Sequence, residues 1–220
     1  MRLVLSLGGS VFEGTAERIK SFARILDEVS KDHELFVVVG GGKLARELIK
    51  KAREIGANET MCDYLGIAAT RINAMLLAYA MKNSAKRIPE NFIEAEELGR
   101  SYRAVVMGGT FPGHTTDATS ALLAEFVNAD LFLNATSVDG VYEDDPKKNP
   151  NARMFERITP SELVKLVAGS SMEAGANIVI DLLSAKIIER SRIKTIIFRG
   201  EPENILKVVR GEKIGTVVEP

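Results

Sequence analysis

Residues 104–124 read AVVMGGTFPGHTTDATSALLA, and their character changes twice. Ala104, Val105, Val106 and Met107 form a short apolar run that suits a strand buried on both faces. Gly108-Gly109 follows, where the missing Cβ allows a sharp turn or a close approach by another group. After Phe111-Pro112-Gly113, the oxygens of Thr115, Thr116 and Asp117 precede an apolar helical pattern of Ala118, Ala121, Leu122 and Phe126. That arrangement predicts a capped helix N-terminus, whose free N–H groups and positive dipole end attract anions. A buried strand, a glycine-bearing turn and a capped helix can form a phosphate site at the carboxyl end of a sheet. An ordinary connection with a capped helix would show the same pattern.

Outward from that stretch, the chain alternates strand and helix signals. Strands are expected at Arg2 to Leu7, Leu35 to Val39, Asp130 to Ala135, Thr195 to Phe198 and Gly215 to Glu219. Helical spacing at Thr15 to Ser30 places Ile19, Phe22, Ala23, Leu26 and Val29 on one face. The helix after Gly42 is expected to turn Leu44, Leu48, Ile49, Ala52 and Ile55 inward. A long helix from the Asn58 cap to about Lys82 would have Met61, Leu65, Ala68, Ile72, Met75, Leu76 and Tyr79 on its core side. Ile88 to Leu98 reads as a short strand and an irregular helix, and Ser161 to Val167 and Asn177 to Ser191 as helices. The turn-rich stretch from Asp139 to Arg157 reads as an exposed excursion. The fold expected is α/β, a mainly parallel sheet with helices on both faces.

Composition excludes several classes of function. Lys plus Arg total 29 against 30 Asp plus Glu, a net charge of -1, so electrostatic binding of a nucleic acid polymer or an anionic membrane is not expected. Cys62 is the single cysteine, which rules out an internal disulfide and suits a reducing cytoplasm. Because the first strand is read as beginning at once, no secretory leader is expected, and no apolar run reaches the roughly 18 residues of a membrane span. With His33 and His114 the only histidines, a metal site built on imidazole and thiolate is not expected.

Three strands deliver glycines, in LSLGGS, VVVGGGKLA and VVMGGTFPG, which suggests strand ends converging on a phosphorylated ligand. Neither GxxxxGK[ST] nor a strand-borne GxGxxG is present, so a P-loop and a dinucleotide fingerprint are disfavoured. Lys43 and Arg46 in the first turns of a helix oppose its dipole, which makes sense if something anionic lies beside them.

The N-terminal GGS, GGGKLAR, FPGHTTDA and TSVDGVYEDDPKKNP together resemble the amino acid kinase superfamily, and within it the archaeal type of uridylate kinase. The likeness spans essentially the whole chain. It implies a three-layer αβα fold of one domain, with an acceptor lobe at about 1–128 and an ATP lobe at about 129–220. It further implies γ-phosphoryl transfer from ATP to UMP in pyrimidine biosynthesis, magnesium held mainly through phosphates, and a homohexamer.

By matching motif positions, the resemblance places Gly9, Ser10, Gly42, Arg46, Thr136, Ser137, Tyr142 and Asp145 at ATP. It places Gly41, Asp63 and the run Phe111, Pro112, Gly113, His114, Thr115, Thr116 and Asp117 at UMP, with Arg46 and Asp117 as the catalytic pair. Each has a plainer alternative: Arg46 and Asp63 as solvated charges, Asp117 as a helix cap, Tyr142 as packing, His114 as a loop hydrogen-bonder. Many members carry a lysine two residues before the first Gly-Gly, where this chain has Ser6. The neutralising cation then has to come from Arg46, Lys43, Lys147 or the metal. Asp181, in ANIVIDLLSA, has no role in this reading. Another kinase of the superfamily, acting on an acylglutamate, a carbamate or isopentenyl phosphate, and a non-catalytic nucleotide-binding subunit remain alternatives.

Overall fold

A computed structural model describes residues 1–144, 146, 149, 151–170 and 179–220. The apolar runs become strands β1 (Arg2–Leu7), β2 (Glu34–Val39), β3 (Ala104–Met107), β4 (Leu131–Thr136), β5 (Arg157–Ile158), β6 (Thr195–Arg199) and β7 (Thr216–Val218). Between them run helices α1 (Ala16–Asp32), α2 (Gly42–Glu54), α3 (Glu59–Ala80), α4 (Phe92–Gly99), α5 (Thr116–Phe126), α6 (Pro160–Ser170), α7 (Leu182–Ser191) and α8 (Pro202–Val209). All seven strands join one sheet in the order β3-β2-β1-β4-β6-β7-β5. Every neighbouring pair is parallel except β6 with β7.

Alternate side chains of the continuous apolar strands go to opposite faces, so the sheet has two cores. Leu3, Leu5 and Leu7 of β1 pack with Val37 and Val39 under α1, α3 and α8. Val4 packs with Phe36, Val38 and Phe132 under α4, α5, α6 and α7. This is the three-layer arrangement that the alternating pattern implies. Strand order runs from β1 outward to β2 and β3, then returns across β1 to β4. Such a reversal opens a crevice between β1 and β4 at their carboxyl ends, the place where open α/β sheets hold ligands.

Several local readings need correction. In α3 the buried positions are Cys62, Ile67, Ala69, Thr70, Asn73, Ala74, Leu77 and Ala78. All seven residues expected on its core side, Met61, Leu65, Ala68, Ile72, Met75, Leu76 and Tyr79, are exposed. Small side chains let the helix lie close to the sheet, and the bulky stripe is displaced outward. In α2 only Ala52 is buried, and Ile55 is 86% exposed. The segment from Ile88 to Leu98 holds helix α4 and no strand. Helix α7 starts at Leu182 because Asp181 caps it, and Asn177 lies outside the described residues. The short strand β5, helix α8 and a 3-10 turn at Gly9–Phe12 were not read from the pattern.

Candidate functional site

The glycine turns after β1 and β2 meet backbone to backbone. A Cβ on Gly9 would stand 2.1 Å from the Gly42 nitrogen, and Gly42 itself has φ +56°, so neither position accepts a side chain without movement. From below, Asn73 of α3 donates to the carbonyls of Gly40 at 2.9 Å and Gly41 at 3.2 Å. Thr70 Oγ1 accepts from the Gly109 N–H at 2.7 Å. Helix α3 thereby clamps the turns after β2 and β3 to each other. The three turns follow adjacent strands and so lie together at the carboxyl edge of the sheet.

Two cavities open there. The first, of about 240 Å³, lies in the β1/β4 crevice and is bordered by Ser10, Thr116, Asp117, Thr136 and Ser137, with Asn134 and Gly200 also contributing. The second, of about 140 Å³, is bordered by Asp63, Phe111, His114 and Thr116 together with Thr70 and Gly109. Thr116 borders both, so a group bound in one can abut a group bound in the other.

Thr115 caps α5 by accepting from the Ala118 N–H at 3.0 Å, which presents the remaining N–H groups of the first turn as anion donors. Its own hydroxyl donates to Asp181 Oδ2 at 2.6 Å. Asp181 also caps α7, accepting from Ser184 N at 3.0 Å and from the Ser184 hydroxyl. The carboxylate that had no role from sequence joins the α5 loop to α7. On the next residues, Asp117 Oδ1 accepts from Ser6 Oγ at 2.7 Å. Burial pushes the Asp117 pKa up to about 6 against the lowering effect of the Ser6 hydrogen bond, and the Asp181 charge raises it further.

The other candidates fall as follows. Asp63 Oδ2 accepts from the Gly113 N–H at 2.8 Å, anchoring the FPG loop over the second cavity. Phe111 and His114 face each other across that loop, ring centroids 6.3 Å apart. Pro112 and Gly113 form the loop tip, and Gly113 has φ +82°. Arg46 borders neither cavity and pairs with Glu13 at 2.6 Å, its side chain 68% exposed. The anion beside the basic start of α2 is therefore Glu13 in this conformation, while Lys43 pairs with Glu47 at 3.7 Å. Tyr142 stands off the cavities, half-buried, with its hydroxyl 3.4 Å from Asp139, which Arg199 holds at 2.6 Å. Asp145 and Lys147 lie outside the described residues.

Sequence reasoning missed Asn134 and Asp181. The available signal for Asn134 was a lone amide within the otherwise apolar LFLNAT. Among the described residues no three His, Cys, Asp or Glu side chains converge on a metal position. The first cavity offers hydroxyls, backbone N–H groups and one carboxylate, with no Lys or Arg among its bordering residues. A polyphosphate entering it needs a cation that comes with the ligand or swings in, which suits a divalent ion carried on phosphate oxygens.

Comparison with known proteins agrees with this architecture. The model of the amino acid kinase family matches residues 1–199. The uridylate kinase of Archaeoglobus fulgidus is 62% identical over 218 residues, covering 99% of this chain and 100% of that protein. The uridylate kinase of Methanocaldococcus jannaschii is 50% identical over 225 residues, with 100% of both chains covered. The crystal structure of the Archaeoglobus fulgidus uridylate kinase superposes with a TM-score of 0.93 at 60% identity, over 99% of this chain and 100% of that one. The chain belongs to the amino acid kinase family.

Proposed function

We propose that this protein is a uridylate kinase, transferring the γ-phosphoryl of ATP to UMP to give ADP and UDP in pyrimidine nucleotide biosynthesis. The observation that carries this reading is the 62% identity, over full length, with a uridylate kinase. The two cavities sharing Thr116 support it, because phosphoryl transfer asks a protein chiefly for end-to-end positioning and for stabilising charge on the phosphoryl oxygens. No nucleophilic side chain is required. ATP occupies the β1/β4 crevice and the lobe from about 129 to 220, and UMP the pocket under the FPGHTTD loop in the lobe from about 1 to 128. Magnesium, bound through the phosphates near Asp117, supplies neutralising charge.

Acylglutamate, carbamate and isopentenyl phosphate kinases, and a non-catalytic subunit, are not favoured by the relatives found. The reading includes a cytoplasmic homohexamer. Among the described residues no helix is long and apolar enough to cross a membrane. The exposed stripe Ile72, Met75, Leu76 and Tyr79 on α3 supports burial against another copy, since a contiguous apolar patch of this kind marks an interface. Initial rates with UMP, CMP, AMP, acetylglutamate and carbamate test the function. Turnover of UMP far above the others supports it, and preference for any other acceptor overturns it.

A further inference from the structure

Asn134 sits on β4 in register with Ser6 of β1. Both point to the α5 side of the sheet, the side on which Ser6 reaches Asp117. The residue is 1% exposed, it borders the first cavity, and its Nδ2 has no hydrogen-bond partner among the described residues. A buried amide donor left without an acceptor is costly, and few such groups survive in a fold unless a bound molecule completes them. Its neighbours in the crevice are hydroxyls, the α5 N-terminus and the Asp117 carboxyl. Asp117 is already engaged by Ser6, and no Lys or Arg borders the crevice.

We propose that Asn134 Nδ2–H is a phosphate donor of this site, hydrogen-bonding an oxygen of the terminal phosphoryl group of the bound nucleoside triphosphate. The inference rests on the reading of the crevice as the ATP site and adds a residue to it. An amide in that place binds an anionic oxygen without bringing a charge that would pair permanently with Asp117. It is also already desolvated, so no reorganisation is needed when the phosphate arrives. The crevice then relies on a neutral donor from the sheet floor, the α5 N-terminus and the ligand's own cation.

The test compares wild type with Asn134→Ala, Asn134→Asp and Asn134→Gln, using calorimetric titration with Mg-ATP and Mg-ADP beside steady-state kinetics. A donor to the terminal phosphoryl makes Asn134→Ala weaken Mg-ATP while leaving Mg-ADP within about two-fold, and lowers kcat roughly 10- to 100-fold, the range for a hydrogen bond to a charged group. Asn134→Asp, the same shape with a negative acceptor, falls further than Ala. Asn134→Gln, which keeps the donor, recovers part of the loss. Equal losses for ATP and ADP, or kcat unchanged in a folded Ala variant, overturn the proposal. If the Ala variant does not fold, the nearly isosteric Asp variant gives the same ATP-to-ADP comparison. Failure of the underlying kinase reading is distinguishable, because the wild type would then turn over no UMP.

Discussion

Ser6 Oγ lies 2.7 Å from Asp117 Oδ1 and joins the centre of the sheet to the first turn of α5. The hydroxyl orients the carboxylate without neutralising it, and burial then holds the Asp117 pKa at about 6.

That shift makes stability depend on pH in a defined direction. The ordinary carboxyl pKa is 3.8 and the folded value is about 6, so between them the folded state binds more protons than the unfolded state. This contribution is favourable at low pH and is lost as pH rises towards 6. Asp117→Asn mimics the protonated form and should be more stable than wild type above about pH 6, by up to about 3 kcal/mol, with the gap closing near pH 4. Urea unfolding at several pH values measures this, and a gap independent of pH would contradict it.

Ser6→Ala removes the hydrogen bond that lowers the Asp117 pKa. If the ionised carboxylate is the working form, the acid limb of the kcat profile should move to higher pH in this variant. An unmoved limb with normal kcat would mean that Asp117 does not titrate in the working range.

Arg46 forms an exposed pair with Glu13, so a catalytic role for it would require the guanidinium to exchange one anion for another. Exposed pairs are weak, and a phosphoryl group can displace Glu13 at little cost. Arg46→Ala should lower kcat on the order of 100-fold, and Arg46→Lys should recover only part because the two-pronged contact is lost. Glu13→Gln should leave kcat within about two-fold. Equal activity of Arg46→Ala and wild type would return Arg46 to the surface charges.

Asp63 spends one oxygen on the Gly113 N–H, and under the proposed function its other oxygen would accept from a ribose hydroxyl of the acceptor. UMP should exceed dUMP in kcat/KM by roughly 10- to 100-fold, as a hydrogen bond to a charged group implies. Asp63→Asn can keep the loop contact while losing the charge, and should compress that ratio. A wild type that uses both acceptors equally would remove the ribose role.

The outward stripe of α3 predicts assembly. Replacing Ile72 and Leu76 by Asp should lower the mass measured by light scattering, since neither side chain serves the core. An unchanged mass would place the interface elsewhere.

The same helix shows where sequence legibility ended. Its apolar residues run almost all the way round, so a 3.6-residue period finds two stripes and cannot say which one meets the sheet. Packing chose Ala69, Ala74 and Ala78, because small side chains allow close approach, and left Met75 and Tyr79 outside. Strands and their glycine turns were legible, because a run such as VVVGGG permits little else than a buried strand ending in a tight turn. The Thr115 cap was legible for the same local reason. Asn134 and Asp181 were not, since their meaning lies in the register of β4 with β1 and in a hydrogen bond to Thr115 across 66 residues of chain.

The most direct test of the kinase reading is a phosphorus NMR time course of the purified protein with Mg-ATP and UMP. The account predicts that the ATP γ signal disappears as the β signal of UDP grows in equal amount, with no inorganic phosphate. Release of inorganic phosphate without UDP, or no change in the presence of UMP, would contradict it.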